Sequence, residues 1–105
     1  MSGLIGVDPA LLGLSSGIQG ATAGTMAGTT AGAAPEVCTV LPLGGDAASA
    51  AAASGLSARG AAAIAMLTEL TTGHSLFADT VGVSGLSYSA QDGINQVALA
   101  VDQAL

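Results

Sequence analysis

Leu56, Gly60, Ala63, Leu67, Leu70, His74, Phe77 and Val81 follow one another at alternating steps of four and three. Residues so spaced lie within roughly 60° of one line down an α-helix that turns about 100° per residue. The stripe is narrow and mixes large with very small side chains, which is the pattern of a helix–helix seam. Upstream, Val7, Leu11, Leu14, Ile18, Ala21 and Thr25 repeat the same steps. About 100° round that first helix runs a line of glycines, Gly13, Gly17, Gly20, Gly24, Gly28 and Gly32. Each costs on the order of 1 kcal/mol against alanine inside a helix. Small-x-x-x-small spacing lets another backbone come near, which offsets that cost. The expectation is therefore one face of the first helix toward the second and another toward a partner. Gly20, Gly24 and Gly28 stand where the approach should be closest.

Helix limits follow from caps and prolines. Asp8-Pro9 is a strong start, because Asp caps the first free N–H groups and Pro at the first position loses no needed donor. The first helix is predicted over about residues 9–33. From Pro35 to Pro42 the chain reads as extended, since residues before proline avoid the α region. Val37 to Leu41 has strand composition, but one strand with no partner strand makes no sheet. Residues 34–45 are read as a linker, after which Asp46 caps a second helix. That helix is predicted over about 46–80, roughly 35 residues and about 50 Å long. Val81-Gly82-Val83-Ser84-Gly85 should weaken or break it; were the helix unbroken, Tyr88 and Asp92 would stay in phase with the main stripe. Ile94, Val97, Val101 and Leu105 fall on a different line, so 81–105 is read as a separate C-terminal segment with Gly93 at its junction. The fold class is all-α, one domain over 1–105, as an antiparallel two-helix hairpin.

Composition changes this picture in one respect. Half of the chain is hydrophobic, yet its aromatic residues are one Tyr and one Phe, and there are 16 glycines. Alanine supplies much of the apolar half and buries little area per residue, so the chain gains little by folding on itself. Glycine raises the entropy cost of ordering the backbone. A lone hairpin should be marginal, and a partner should complete a four-helix bundle.

The formal charge of −6, with a single Arg or Lys, excludes nucleic acid and anionic membrane surfaces as partners. Cys38 stands alone, so no internal disulfide forms. The N-terminal Met1-Ser2-Gly3-Leu4-Ile5 lacks the basic start and apolar core of a Sec signal peptide. Mean hydropathy is +0.69, but it comes largely from alanine. The richest window, from Ala47 to Leu67, is interrupted by Ser49, Ser54, Ser57 and Arg59, so no integral membrane segment is expected.

Catalytic chemistry finds no support. Gly13-Leu14-Ser15-Ser16-Gly17 matches the G-x-S-x-G of hydrolases, but that motif needs a strained strand-to-helix turn above a large sheet. His74 is the single histidine and sits on the apolar stripe, which suits a packed residue better than a zinc ligand. The acidic residues are dispersed and form no pair for acid–base work. Neither enzyme activity nor a cofactor is expected.

Three stretches carry a family resemblance. They are Val40-Leu41-Pro42 before a capped alanine-rich helix, Gly55-Leu56-Ser57-Ala58-Arg59-Gly60, and Gly85-Leu86-Ser87-Tyr88-Ser89-Ala90-Gln91-Asp92. Together they resemble the PE family, small substrates of mycobacterial type VII (ESX) secretion systems. The family's Pro-Glu pair near the N-terminus stands here as Pro9-Ala10. The resemblance implies a heterodimer with a PPE-family protein, closing a four-helix bundle. It implies that Tyr88 and Asp92 form the Y-x-x-x-D secretion signal that addresses the pair to the type VII apparatus. An EspG-type chaperone would act through the PPE partner. The chain would be made in the cytosol and exported to the cell envelope or beyond. The partner or helix interface is expected at Leu11, Leu14, Ile18, Gly20, Gly24, Gly28, Leu56, Ala63, Leu67, Leu70, His74 and Phe77. The competing reading is a cytosolic helical adaptor with no secretion role, in which Tyr88 packs and Asp92 is solvated.

Overall fold

Two helices make up the computed structural model, which describes residues 6–105. They are α1, Pro9–Cys38, and α2, Ala47–Ala104, joined by residues 39–46. The reading of Met1 to Ile5 lies outside the described residues. The all-α hairpin is as expected, while both helices run further than their glycines and proline suggest.

The start of α1 is fixed by Asp8, whose Oδ1 accepts from the N–H groups of Ala10 at 3.0 Å and Leu11 at 3.3 Å. The start of α2 is fixed by Asp46. Its Oδ1 accepts from the Ser49 hydroxyl at 2.7 Å and its Oδ2 from the Ser49 N–H at 3.0 Å. The hydroxyl first, then the N–H, hold the Asp46 carboxyl below its ordinary value by stabilising the charged form.

Where a stop near residue 33 was expected, α1 continues through Pro35 to Cys38. Proline inside a helix removes one hydrogen bond and crowds the carbonyl four residues back, at a cost of about 3 kcal/mol. The extra turn gains contacts that offset this. The Val37 carbonyl lies against Gly60, and the Val40 N–H donates to Ser57 Oγ at 2.9 Å. Likewise α2 does not break at 81–85 but passes through Gly82, Gly85 and Gly93 to Ala104, 58 residues in all. Gly82 and Gly85 face α1, where their missing side chains permit contact, so their helix cost is offset by packing. No separate C-terminal segment forms.

The residues fall into two compact units. One comprises the described residues up to Gly20 together with Ser75–Leu105, and the other is Ala21–His74. In the first unit Leu12, Ser16 and Gln19 of α1 turn toward Ala78, Gly82 and Gly85 of α2. Ser16 Oγ donates to the Ala78 carbonyl at 2.6 Å, so a polar side chain satisfies itself inside the seam. A Cβ on Gly85 would stand 3.2 Å from Leu12 Cβ and 3.3 Å from the Pro9 carbonyl. In the second unit Ala23, Met26, Thr30 and Cys38 line α1, against Ala53, Ser57, Gly60, Ile64, Thr71 and His74 of α2.

Among the described residues the buried hydrophobic side chains are Ala23, Ala53 and Ala78. The most deeply buried side chains of the seam are thus among the smallest. The glycines that permit close approach belong to α2, at positions 60, 82 and 85. On α1, nothing lies within 4 Å of a Cβ built on Gly20, Gly24 or Gly28. That glycine line is not the face of α1 that α2 approaches.

Candidate interaction surface

Helical phase explains how a seam of small residues leaves the large ones outside. On α2 the half-buried and buried positions are 49, 53, 57, 60, 64, 71, 74, 78, 81, 82, 84 and 85. Gly60, His74 and Val81 belong to the predicted stripe and do face α1. Leu56, Leu67, Leu70 and Phe77 sit on the flank of that line, at 55%, 42%, 62% and 53% exposure. Ala63 is exposed beside them. On α1, Leu11, Leu14 and Ile18 are more than half exposed, because the seam takes Leu12, Ser16 and Gln19 instead.

In the unit Ala21–His74 a groove of about 400 Å³ runs beside the seam, lined by Thr22, Thr25, Met26, Thr29, Thr30, Ala33, Leu67 and Thr71. On the seam's other side is a second groove of about 360 Å³, lined by Ala27, Thr30, Ala31, Ala34, Ile64, Thr68, Thr71 and Thr72. Thr30 and Thr71 border both, which fixes the seam between them. Several of these hydroxyls are consumed inside their own helix. Thr25 Oγ1 donates to the Ala21 carbonyl at 3.2 Å, Thr68 to Ile64 at 2.9 Å, and Thr71 to Leu67 at 2.9 Å. A threonine bonded back in this way turns its methyl group outward. The grooves are therefore more apolar than their sequence suggests.

Of these threonines the apolar stripes of the sequence take in Thr25 alone. A signal was present: Leu14, Ile18, Thr22, Thr25, Thr29 and Ala33 continue one line at helical spacing.

Tyr88 and Asp92 both lie on α2, one turn apart, in the stretch 86–105 where every residue is exposed. The Tyr88 ring borders a shallow groove of about 420 Å³ with Thr80, Val83, Ser84, Ser87 and Gln91, and Asp92 lies outside it. Gln91 Nε2 donates to Asn95 Oδ1 at 3.0 Å across the next turn. A regular helix thus offers ring and carboxylate on adjoining turns to whatever binds there.

Among the described residues no group of three His, Cys, Asp or Glu gathers to hold a metal ion. By length and composition α2 is long and apolar enough to cross a membrane, a property shared by helices that are covered in a soluble bundle.

The family model described as the PE family matches residues 5–95. Neither the curated proteins nor the solved structures contain a match to the chain.

Proposed function

Because the chain belongs to the PE family, a helical and non-enzymatic family associated with type VII secretion, we propose that it is exported as one half of a heterodimer with a PPE-family protein. The observation that carries this reading is the inverted distribution of its apolar residues. Alanines are inside, while Leu14, Ile18, Leu67, Leu70 and Phe77 lie outside. Apolar side chains arranged in stripes at helical spacing gain free energy only when another surface removes them from water. A second hairpin laid on those stripes makes a four-helix bundle, and Leu11, Leu56, Ala63 and His74 belong to its interface or border. Gly20, Gly24 and Gly28 then remain open for approach by another molecule.

In this reading Tyr88 and Asp92 are the secretion signal, recognised by the type VII apparatus after assembly in the cytosol. An EspG-type chaperone is engaged through the PPE partner, and the pair ends in the cell envelope or outside the cell. Both side chains lie beyond Gly85, the last α2 position in close contact with α1. Their loss should cost the pair little stability.

Tyr88→Ala and Asp92→Ala are therefore each expected to co-purify normally with the PPE partner yet fail to reach the culture filtrate, accumulating in the cell. An adaptor in which Tyr88 only packs predicts lost pairing for Tyr88→Ala and no change for Asp92→Ala. Normal export of both variants would remove the secretion-signal assignment.

A further inference from the structure

Beyond the start of α1, the second helix carries an apolar face that the hairpin does not use. α1 begins level with Gly85, where an added Cβ would stand 3.3 Å from the Pro9 carbonyl. From there α2 runs on for about 30 Å, and every residue from 86 to 105 is exposed. Leu86, Ala90, Ile94, Val97, Val101 and Leu105 step by four, four, three, four and four. Those steps keep all six within about 50° of one line. Ile94 is nine residues past Gly85, a net rotation of about 180°, so the line lies opposite the side that meets α1. Tyr88 and Asp92 are turned at least about 150° away from it, and Phe77 about 130°.

Three features of this face point to its occupant. Its spacing is palindromic. Turned end for end about the point between Asn95 and Gln96, the line falls on itself: Ile94 meets Val97 of a second copy, Ala90 meets Val101, and Leu86 meets Leu105. A face that complements itself in this way is what a two-fold interface requires. The charges of the stretch, Asp92 and Asp102, stand outside the face, so two copies join here without opposing like charges. Gly93 and Ala98 flank the centre of the line, and nothing lies within 4 Å of a Cβ built on Gly93. Small flanks let a second backbone come close. A lipid surface fits less well, because helices that lie in a membrane interface carry Lys or Arg on their polar side and this one carries Asp.

We propose that residues 86–105 of two chains pair antiparallel through this face, joining two PPE-bound hairpins into a two-plus-two assembly. The inference goes beyond the heterodimer proposed above, since it concerns another side of α2. It leaves Tyr88 and Asp92 uncovered for recognition.

The test is the mass of the purified chain–PPE pair, read by analytical ultracentrifugation across a dilution series. A concentration-dependent two-plus-two species with a micromolar Kd is expected, as suits a small interface. Val97→Asp changes an exposed position past the reach of α1, so folding and PPE pairing are spared while an unpaired carboxylate enters the face. It should weaken the assembly about a hundredfold or more, leaving one-plus-one pairs. Gln96→Asp adds the same charge about 130° from the centre of the line and should assemble within about threefold of the wild type. Register is read by oxidation in a Cys38→Ser background. Leu86→Cys combined with Leu105→Cys should link two chains, whereas Leu86→Cys alone should not.

A wild-type pair that stays one-plus-one at every concentration would overturn the inference and leave the heterodimer standing. Equal loss of assembly for Val97→Asp and Gln96→Asp would overturn the choice of face. Linking by Leu86→Cys alone would overturn the antiparallel register. Lost PPE pairing for Val97→Asp would give the face to the PPE partner instead. Flotation of the wild-type pair with phosphatidylcholine vesicles, abolished by Val97→Asp, would give it to lipid. Should the chain pair with no PPE-family protein, the heterodimer fails by itself. A dimer of the free chain dissociated by Val97→Asp but not by Gln96→Asp would still support this face, and a monomer would overturn it.

Discussion

Gly60→Ala should destabilise the hairpin by about 2 kcal/mol, although alanine is the better helix former by up to about 1 kcal/mol. A Cβ on Gly60 would overlap the carbonyl oxygen of Val37 and stand 2.6 Å from its carbonyl carbon. The obstacle is backbone, which has no rotamer to change. Relief requires the last turn of α1 to move away from α2. That shift also strains the bond from the Val40 N–H to Ser57 Oγ. Overpacking of this kind costs about 1–3 kcal/mol, and a rigid neighbour sets the upper end. Gly24→Ala is the matched control, because nothing lies within 4 Å of its Cβ. It should raise the helicity of the chain. The comparison is read by thermal melting of each variant paired with the PPE partner, where the transition is expected to be cooperative, and a gain for both variants would mean that α1 and α2 do not approach at Gly60.

Leu67→Asp should abolish co-purification with the PPE partner. Leu67 is the large α2 side chain bordering the groove beside Thr71, and it is the least exposed of its flank. Removing a buried leucine side chain costs roughly 2–5 kcal/mol. Setting a carboxylate in its place adds the penalty of desolvating an unpaired charge. Even about 4 kcal/mol lowers affinity roughly a thousandfold. Glu69→Ala, two residues on and solvent-exposed, should change binding by less than about 0.5 kcal/mol. Equal behaviour of the two variants would place the partner on another face.

The elements were legible in the sequence because their signals are local. Asp8-Pro9 and Asp46 begin the helices as capping chemistry requires. The phase of the apolar residues was legible too, and Leu11, Leu14 and Ile18 do share one side of α1. What local pattern does not carry is which of two adjacent lines faces the neighbouring helix. Leu67 and Ile64 are both apolar and lie 60° apart at helical pitch. Ile64 goes into the seam because the helices approach at Gly60, and that approach depends on a carbonyl twenty-three positions upstream. Glycine and proline misled for the same reason. Their helix cost is intrinsic, whereas the contacts that offset it at Gly82, Gly85 and beyond Pro35 are tertiary. The threonines other than Thr25 were overlooked because their polarity is a property of the free side chain, and a bond to the carbonyl four residues back removes much of it.

That dependence on another surface is the core of the account. The most direct measurement is circular dichroism of the purified chain alone and then with its PPE partner. Alanines at the centre and leucines outside leave too little burial to offset the ordering of a glycine-rich backbone. The isolated chain should show weak helicity and a broad, non-cooperative melt, with helicity rising on addition of the partner to a cooperative transition. A strongly helical, cooperatively melting monomer would contradict the claim that this hairpin is completed by a partner.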